Sequence, residues 1–254
     1  MKKTIFSIIA LVLFFACGNS STSEFKKSSD NVISNVQLKN YAVVWQWAVN
    51  DADMIRKHLP AMNEEMLAMW RNGDIENAYY KADSEISVVE NLPNICYFLK
   101  AESYKSAREF LNSLSVVKNG IATFSVFPVG SKWFGRNAEA IQANGIRRSY
   151  VSVWKVLEEI KQEENLQMIQ TQANSIKSLY QQGSIENVYW ELSGEEDAYK
   201  RRNNNITDFV FFINSDSKDE ARALCDSLPF TAEGLVSYDL IPVGVFWLGD
   251  YEEN

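Results

Sequence analysis

Histidine is almost missing from this chain. Among 254 residues there is one, His58, beside three cysteines, five prolines and eleven glycines. One His with scattered Cys speaks against a zinc, haem or other transition-metal site, since each needs clustered nitrogen or sulfur ligands. Neither a metal nor a cofactor is therefore expected. Gly73 and Gly183 stand alone, so there is no glycine-rich phosphate cradle. Basic charge is also scarce. The 25 Lys and Arg against 33 Asp and Glu leave a net charge of −8, and no basic stripe is visible, which argues against a nucleic-acid partner. No stretch in the body of the chain approaches the roughly 20 apolar residues that span a bilayer.

What the sequence does contain begins with an address. Met1, Lys2 and Lys3 form a positive start, and Ile5 to Ala16 form an apolar run too short for a stop-transfer helix. The run closes on Phe14-Phe15-Ala16-Cys17-Gly18, which resembles a bacterial lipoprotein lipobox. That resemblance implies that residues 1–16 are a signal peptide and that Cys17 is acylated. The chain would then sit in the bacterial envelope, lipid-anchored at the outer membrane or the periplasmic face. The alternative is an ordinary secretory signal with Cys17 removed. Residues 17–38, rich in Ser, Asn, Lys and Thr, read as a flexible tether.

The body is a tandem duplication. Trp70 to Tyr79 reads Trp-Arg-Asn-Gly-Asp-Ile-Glu-Asn-Ala-Tyr, and Tyr180 to Tyr189 reads Tyr-Gln-Gln-Gly-Ser-Ile-Glu-Asn-Val-Tyr. Each is followed by an apolar run, an Ala-Arg helix, a Gly and a Pro-Val-Gly step, at Pro128 and again at Pro242. Residues 39–135 form repeat 1, 136–148 a linker with room for a short helix, and 149–254 repeat 2. In repeat 1, Tyr41 to Trp47 alternates like a strand, and a helix follows from about Pro60 to Trp70, with Pro60 in its first turn. Strands over Ile75–Lys81 and Asn94–Lys100, a helix carrying Ala107, Phe110, Leu111 and Leu114, and a strand over Ile121–Phe127 complete it. Repeat 2 follows the same order: a strand at Tyr150–Trp154, a helix from about Glu158 to Gln182, strands at Ile185–Leu192 and Asp208–Ile213, the Ala221 to Leu228 stripe, and a strand at Leu235–Ile241. The charged, Asn-rich segment from Ser193 to Thr207, with Arg201 and Arg202, reads as an exposed loop. Cys96 and Cys225 stand opposite Val210 and Leu111, so they read as small hydrophobes. A Cys96 to Cys225 bridge in an oxidising envelope is the alternative.

Each repeat is thus βαββαβ, the ferredoxin-like unit, whose four-stranded antiparallel sheet carries both helices on one face. The fold class is α+β. Strand 185–192 alternates Glu186, Val188, Trp190 and Leu192 with Ile185, Asn187 and Tyr189, leaving apolar groups on both faces. Two sheets packed face to face, with helices outside, would bury both, and a duplicated chain does this internally.

The run Phe209-Val-Phe-Phe-Ile-Asn-Ser-Asp-Ser, then Glu220-Ala-Arg-Ala-Leu-Cys-Asp-Ser-Leu-Pro-Phe230 and Tyr238-Asp-Leu-Ile-Pro-Val, resembles the muconolactone isomerase-like branch of the dimeric α+β barrel superfamily. Repeat 1 is similar, with Ser115 at the position of Pro229. The resemblance implies a barrel completed by the two repeats of one chain, and a small-molecule cavity between sheet and helix in each half. The neighbouring YCII-related family pairs a histidine on its first helix with an aspartate in an Asp-Pro step. Here Leu228 precedes Pro229 and Met168 lies where His58 would repeat, so that dyad is absent.

Glu76 and Glu186 open a strand in the duplicated Gly-x-Ile-Glu-Asn-x-Tyr motif. A carboxylate at a partly buried cavity mouth has a raised pKa and shuttles protons in an allylic isomerisation; the competing role is to satisfy backbone groups at the turn. Trp45, Tyr79, Tyr80, Trp154, Tyr189 and Trp190 are candidates for an aromatic ligand pocket, or else core. Trp133-Phe134-Gly135 and Trp247-Leu248-Gly249 read as rim residues sealing the barrel ends. His58, flanked by Arg56 and Lys57, is a further candidate base. Two roles compete. One is a cofactor-independent isomerase binding a small hydrophobic or aromatic molecule. The other is a non-catalytic envelope protein for ligand capture or protein contact. Duplication implies a monomeric soluble body, because the internal pair already covers both sheets.

Overall fold

The computed structural model describes residues 38–79, 95–145, 148–157, 162–190, 209–244 and 246–248. The signal segment, Cys17, the tether up to residue 37, Tyr80 and the loop over 193–207 lie outside the described residues. Repeat 1 runs β1 (Lys39–Trp47), α1 (Ala52–Arg71), β2 (Ile75–Tyr79), β3 (Cys96–Ala101), α2 (Tyr104–Ser113), α3 (Ser115–Lys118) and β4 (Ala122–Val129). Then come β5 (Ser131–Phe134) and α4 (Ala138–Asn144). Repeat 2 runs β6 (Arg148–Val156), α5 (Gln162–Gln181), β7 (Ile185–Trp190), β8 (Phe209–Ser215), α6 (Lys218–Asp226), α7 (Pro229–Ala232), β9 (Val236–Val243) and β10 (Phe246–Leu248). This is the α+β, doubly ferredoxin-like architecture expected from the duplicated pattern, and both repeats fall within one compact unit spanning Val36–Asn254. Among the described residues no helix is long and apolar enough to cross a membrane.

α1 begins earlier than its apolar spacing suggests. The Asp51 carboxylate accepts hydrogen bonds from the backbone N–H of Asp53 (2.9 Å) and Met54 (3.1 Å), which starts the helix there. Pro60 therefore lies inside the helix, not in its first turn. Its exposed position lets the ring replace one N–H without burying an unpaired carbonyl. Ile55, Met62, Met66 and Met69 form the buried stripe. α2 and α6 start alike, with Ser103 and Ser217 capping the N–H of Ser106 and Glu220.

The two sheets have the orders β10-β2-β3-β1-β4 and β5-β7-β8-β6-β9. Each repeat supplies four strands to its own sheet and a fifth to the other. β5 leaves repeat 1 and pairs with β7, setting Ser131 opposite Trp190 and Lys132 opposite Tyr189. β10 leaves repeat 2 and pairs with β2, setting Phe246 opposite Tyr79. The 131–134 segment is thus a strand of the opposite sheet, a role that its rim-like composition did not suggest.

Three cores result. Two lie between a sheet and its helices: one holds Tyr41, Trp45, Met66, Tyr97 and Leu111, the other Trp154, Ile176, Trp190, Phe209 and Phe230. The third lies between the sheets and holds Ala42, Val44, Tyr79, Cys96, Phe98, Val153, Tyr189, Val210 and Phe212. Cys96 and Cys225 are both free, buried and in different cores.

β2 and β7 depart from simple alternation. Their register with β3 and β8 shifts between Glu76 and Tyr79 and between Glu186 and Tyr189. At each shift an Asn takes a left-handed backbone, Asn77 with φ 50° and Asn187 with φ 47°. This is a bulge: one extra residue resets which side chains face where. Ile75 and Ala78 face the helices, as do Ile185, Val188 and Trp190, while Tyr79 and Tyr189 face the space between the sheets. Strict alternation had put Glu186 with Val188 and Tyr189 with Ile185, and the bulge overturns that grouping.

The linker helix α4 is pinned to repeat 2 by Gly183, whose φ is +70°. A Cβ there would stand 2.4 Å from the backbone of Ala140, whereas at Gly73, the matching turn of repeat 1, a Cβ meets nothing within 4 Å. Asn214 Nδ2 donates to the Gly145 carbonyl at 2.9 Å and holds the other end of α4. Gly73→Ala should cost about 1 kcal/mol from backbone conformation alone. Gly183→Ala should cost clearly more, because α4 must also move. Urea unfolding of the two variants checks the difference.

Candidate functional site

The bulges turn the duplicated Ile-Glu-Asn-x-Tyr motifs toward one another across the sheet interface. The Tyr189 hydroxyl donates to Glu76 Oε2 at 3.0 Å, and Asn77 Nδ2 lies 3.4 Å from the same hydroxyl. Reciprocally, Asn187 Nδ2 donates to the Tyr79 hydroxyl at 2.6 Å, and that hydroxyl faces Glu186. Each motif's polar pair therefore holds the other motif's tyrosine. The rings stack in the same crossed manner, Tyr79 on Phe212 and Phe98 on Tyr189, with centroids 3.7 Å apart in both stacks.

The two glutamates have diverged in their surroundings. Glu76 is ion-paired with Lys100 at 2.7 Å and Lys132 at 3.0 Å. Burial pushes its carboxyl up, but the hydrogen bonds and charges of the two lysines outweigh that, and it titrates below the usual range. In repeat 2 the corresponding positions hold Asn214, turned away to Gly145, and Phe246. Glu186 keeps one cation, Arg136, at 3.5 Å, whose guanidinium also lies 4.1 Å from the Phe246 ring centroid. Glu186 Oε2 and Arg136 Nη1 are buried and complete no hydrogen bond. Burial therefore dominates and raises the Glu186 carboxyl above its ordinary value, with Arg136 and Tyr79 opposing only in part. Burial also raises Tyr79 well above 10, and the Glu186 charge adds to the rise.

The other candidates are dispersed. Trp45 packs in the helix-side core of repeat 1, Trp154 and Trp190 together in that of repeat 2, and Tyr79 and Tyr189 between the sheets. His58 is half-buried on α1, and among the described residues no hydrogen bond or ion pair joins it to either glutamate. Tyr80 lies outside the described residues. Two surface grooves occur on repeat 2, of about 480 Å³ beside α6 and β9 and about 400 Å³ beside α5 and α7, and neither is lined by any of these candidates. Among the described residues no group of three His, Cys, Asp or Glu comes together to hold a metal ion. Sequence reasoning missed Lys100, Lys132 and Arg136, and gave Asn77 and Asn187 a role at the turn where they hold the opposite tyrosine. The Asn pair was visible as the residue after Glu in both motifs. The cations stand at positions where the repeats differ, so the duplication concealed them.

Chemically, the arrangement is a packed interface with one carboxylate whose pKa is lowered by two lysines and one whose pKa is raised by burial. Its class is an α+β protein in which two five-stranded antiparallel sheets, each completed by a strand from the other repeat, are built within a single chain. No protein-family profile matches the sequence and no curated protein matches it. Among solved structures, those of chlorite dismutases are similar to the chain. A single-site variant of the enzyme from Candidatus Nitrospira defluvii is 10% identical, with a TM-score of 0.43, covering 82% of this chain and 91% of that one. The same enzyme in complex with imidazole gives 10% and 0.44 over 82% and 91%. A protein provisionally named as a chlorite dismutase gives 8% and 0.46 over 83% and 95%. A likeness at this level transfers no chemistry to the chain.

Two expectations follow from the diverged carboxylates. Glu186 has a folded-state pKa above its ordinary 4.5, so the folded protein holds that proton more tightly than the unfolded chain does. Its contribution is most favourable below that value and declines as pH rises through the folded-state pKa. Glu76, with its pKa lowered, contributes above its ordinary value, and that contribution is lost as pH falls through the folded-state pKa. Unfolding free energy against pH should lose its decline toward neutral in Glu186→Gln and lose its acid limb in Glu76→Gln. Tyr189→Phe, which removes a donor to the partly buried Glu76 carboxylate, should cost about 2 kcal/mol in the same assay.

Proposed function

We propose that the chain is an envelope lipoprotein whose duplicated barrel serves as a non-catalytic interaction module. The observation that supports this most directly is the filled interior. Between each sheet and its helices, where the resemblance implied a cavity, Val43, Tyr97, Leu111, Ile176, Ile185 and Phe211 have 0% exposure, and between the sheets the two ring stacks take up the space that a planar ligand would need. A close-packed interior does not open cheaply for a guest. The lipobox-like ending at Cys17 supports the envelope address, and the internal pairing of the sheets supports a monomeric soluble body.

One observation favours a second reading, a cofactor-independent isomerase of the muconolactone type. Glu186 is a buried carboxylate with a raised pKa beside the Tyr79 hydroxyl, and such a group can take and return a proton on an allylic carbon. That reading requires a small hydrophobic molecule to reach Glu186.

A thermal-shift screen against lactones, catechols, quinones and small aromatic acids separates the two. The non-catalytic reading expects no stabilisation and no turnover. A ligand at 100 times its dissociation constant that adds about 2.7 kcal/mol and is turned over, with both effects abolished by Glu186→Gln, would establish the enzyme instead. For the anchor, metabolic labelling with a palmitate analogue should mark the parent chain and not Cys17→Ser. Sedimentation of the body from residue 38 should show a monomer.

A further inference from the structure

The two repeats offer an internal comparison at the free edge of each sheet. In repeat 1 the Arg108 guanidinium lies over the rings of Tyr104 and Phe124, at 5.9 and 5.5 Å from their centroids. That cation is exposed but lies against two rings of its own repeat. In repeat 2 the same three positions are Lys218, Arg222 and Tyr238. The first ring has become a second cation, and the Tyr238 hydroxyl turns to Asp226 and to the Arg222 carbonyl. The result is an open groove of about 480 Å³ lined by Lys218, Arg222, Tyr238, Asp239, Leu240 and Ile241. Asp239, its one carboxylate, is neutralised by Lys155 at 2.8 Å. Among the described residues neither Lys218 nor Arg222 has an ion-pair partner, so the groove is cationic on a chain of net charge −8. Its floor is β9, which ends its sheet and among the described residues has no strand on its outer side.

We propose that this groove receives an acidic peptide segment of another protein, in extended conformation, which adds to β9 as a further strand. The proposal deepens the interaction-module reading and rests on it. Three physical features select this occupant. An edge strand offers its outward N–H and C=O groups to an incoming extended chain. Lys218 and Arg222 are one helical turn apart, about 6 Å along the axis. Alternate side chains of an extended strand are about 6.8 Å apart, so acids at every second residue meet both cations. The acidic remainder of the surface repels a broad anionic partner, which leaves a narrow segment with spaced carboxylates as the better fit. Pro242 has no N–H, so pairing runs along Val236–Ile241 and stops there.

The test is fluorescence anisotropy of the full chain with a labelled decapeptide of alternating Glu and Thr, against the same peptide with Lys for Glu. The acidic peptide should bind, and Lys218→Gln and Arg222→Gln should each weaken it roughly tenfold. Arg108→Gln, the equivalent change in repeat 1, should leave it unchanged. Hydrogen exchange should show new protection of β9 amides on binding. Equal binding of the Lys peptide, insensitivity to Arg222→Gln, no binding at millimolar peptide, or pairing of β9 with a second copy in place of the peptide would overturn the proposal. Failure of the underlying reading shows elsewhere, as turnover that depends on Glu186. Since Glu186 lies outside the groove, peptide binding with Glu186→Gln unchanged from the parent would support the docking site whatever the turnover assay gives.

Discussion

The contact on which the rest of this structure depends is the crossed hold of each tyrosine by the other repeat. Tyr189 reaches the Glu76 and Asn77 of repeat 1, and Tyr79 is held by the Asn187 of repeat 2. Without it, two ferredoxin-like sheets would present apolar faces to each other with little to set their register. With it, polar groups that burial would otherwise penalise find their partners across the interface, and only in one alignment. The exchanged strands β5 and β10 reinforce the same alignment from the sheet edges.

The bulge makes this hold geometrically available. A regular strand puts residues i and i+3 on opposite faces, so Glu and Tyr of the motif would point apart. One additional residue, Asn in a left-handed conformation that its short polar side chain tolerates, brings both toward the interface. The duplicated Ile-Glu-Asn-x-Tyr spacing is best understood as the sequence of that bulge. Retention of the motif in both copies follows from packing, and it requires no reaction.

The two copies then differ in the charges around their shared positions. Glu76 keeps two lysines where Glu186 keeps one arginine, and the same carboxylate chemistry is driven in opposite directions by charge in one copy and by burial in the other. At the sheet edges, Tyr104 of repeat 1 gives way to Lys218 in repeat 2, so Arg222 lines a groove with a second cation where Arg108 has a ring. In both cases the informative residues occupy positions where the repeats disagree. Resemblance between copies reports the fold, and difference between them reports what each copy has been left free to do.

The sequence by itself determined the duplication, the βαββαβ order, the α+β class and the need for two sheets to cover each other, because apolar periodicity and turn residues act locally and recur in both copies. It also marked Glu76, Glu186, Tyr79 and Tyr189 as noteworthy through their shared motif. Only the tertiary structure decided which residues those four touch. The strand exchange by 131–134 and 246–248 depends on where a chain leaves a sheet, which composition does not encode. The start of α1 was set by the Asp51 cap in competition with the Pro60 signal. The partners Lys100, Lys132 and Arg136 come from distant positions with no common spacing. Whether a buried carboxylate is charged depends on those partners and on the solvent they exclude, and both exist only once the two halves have closed on each other.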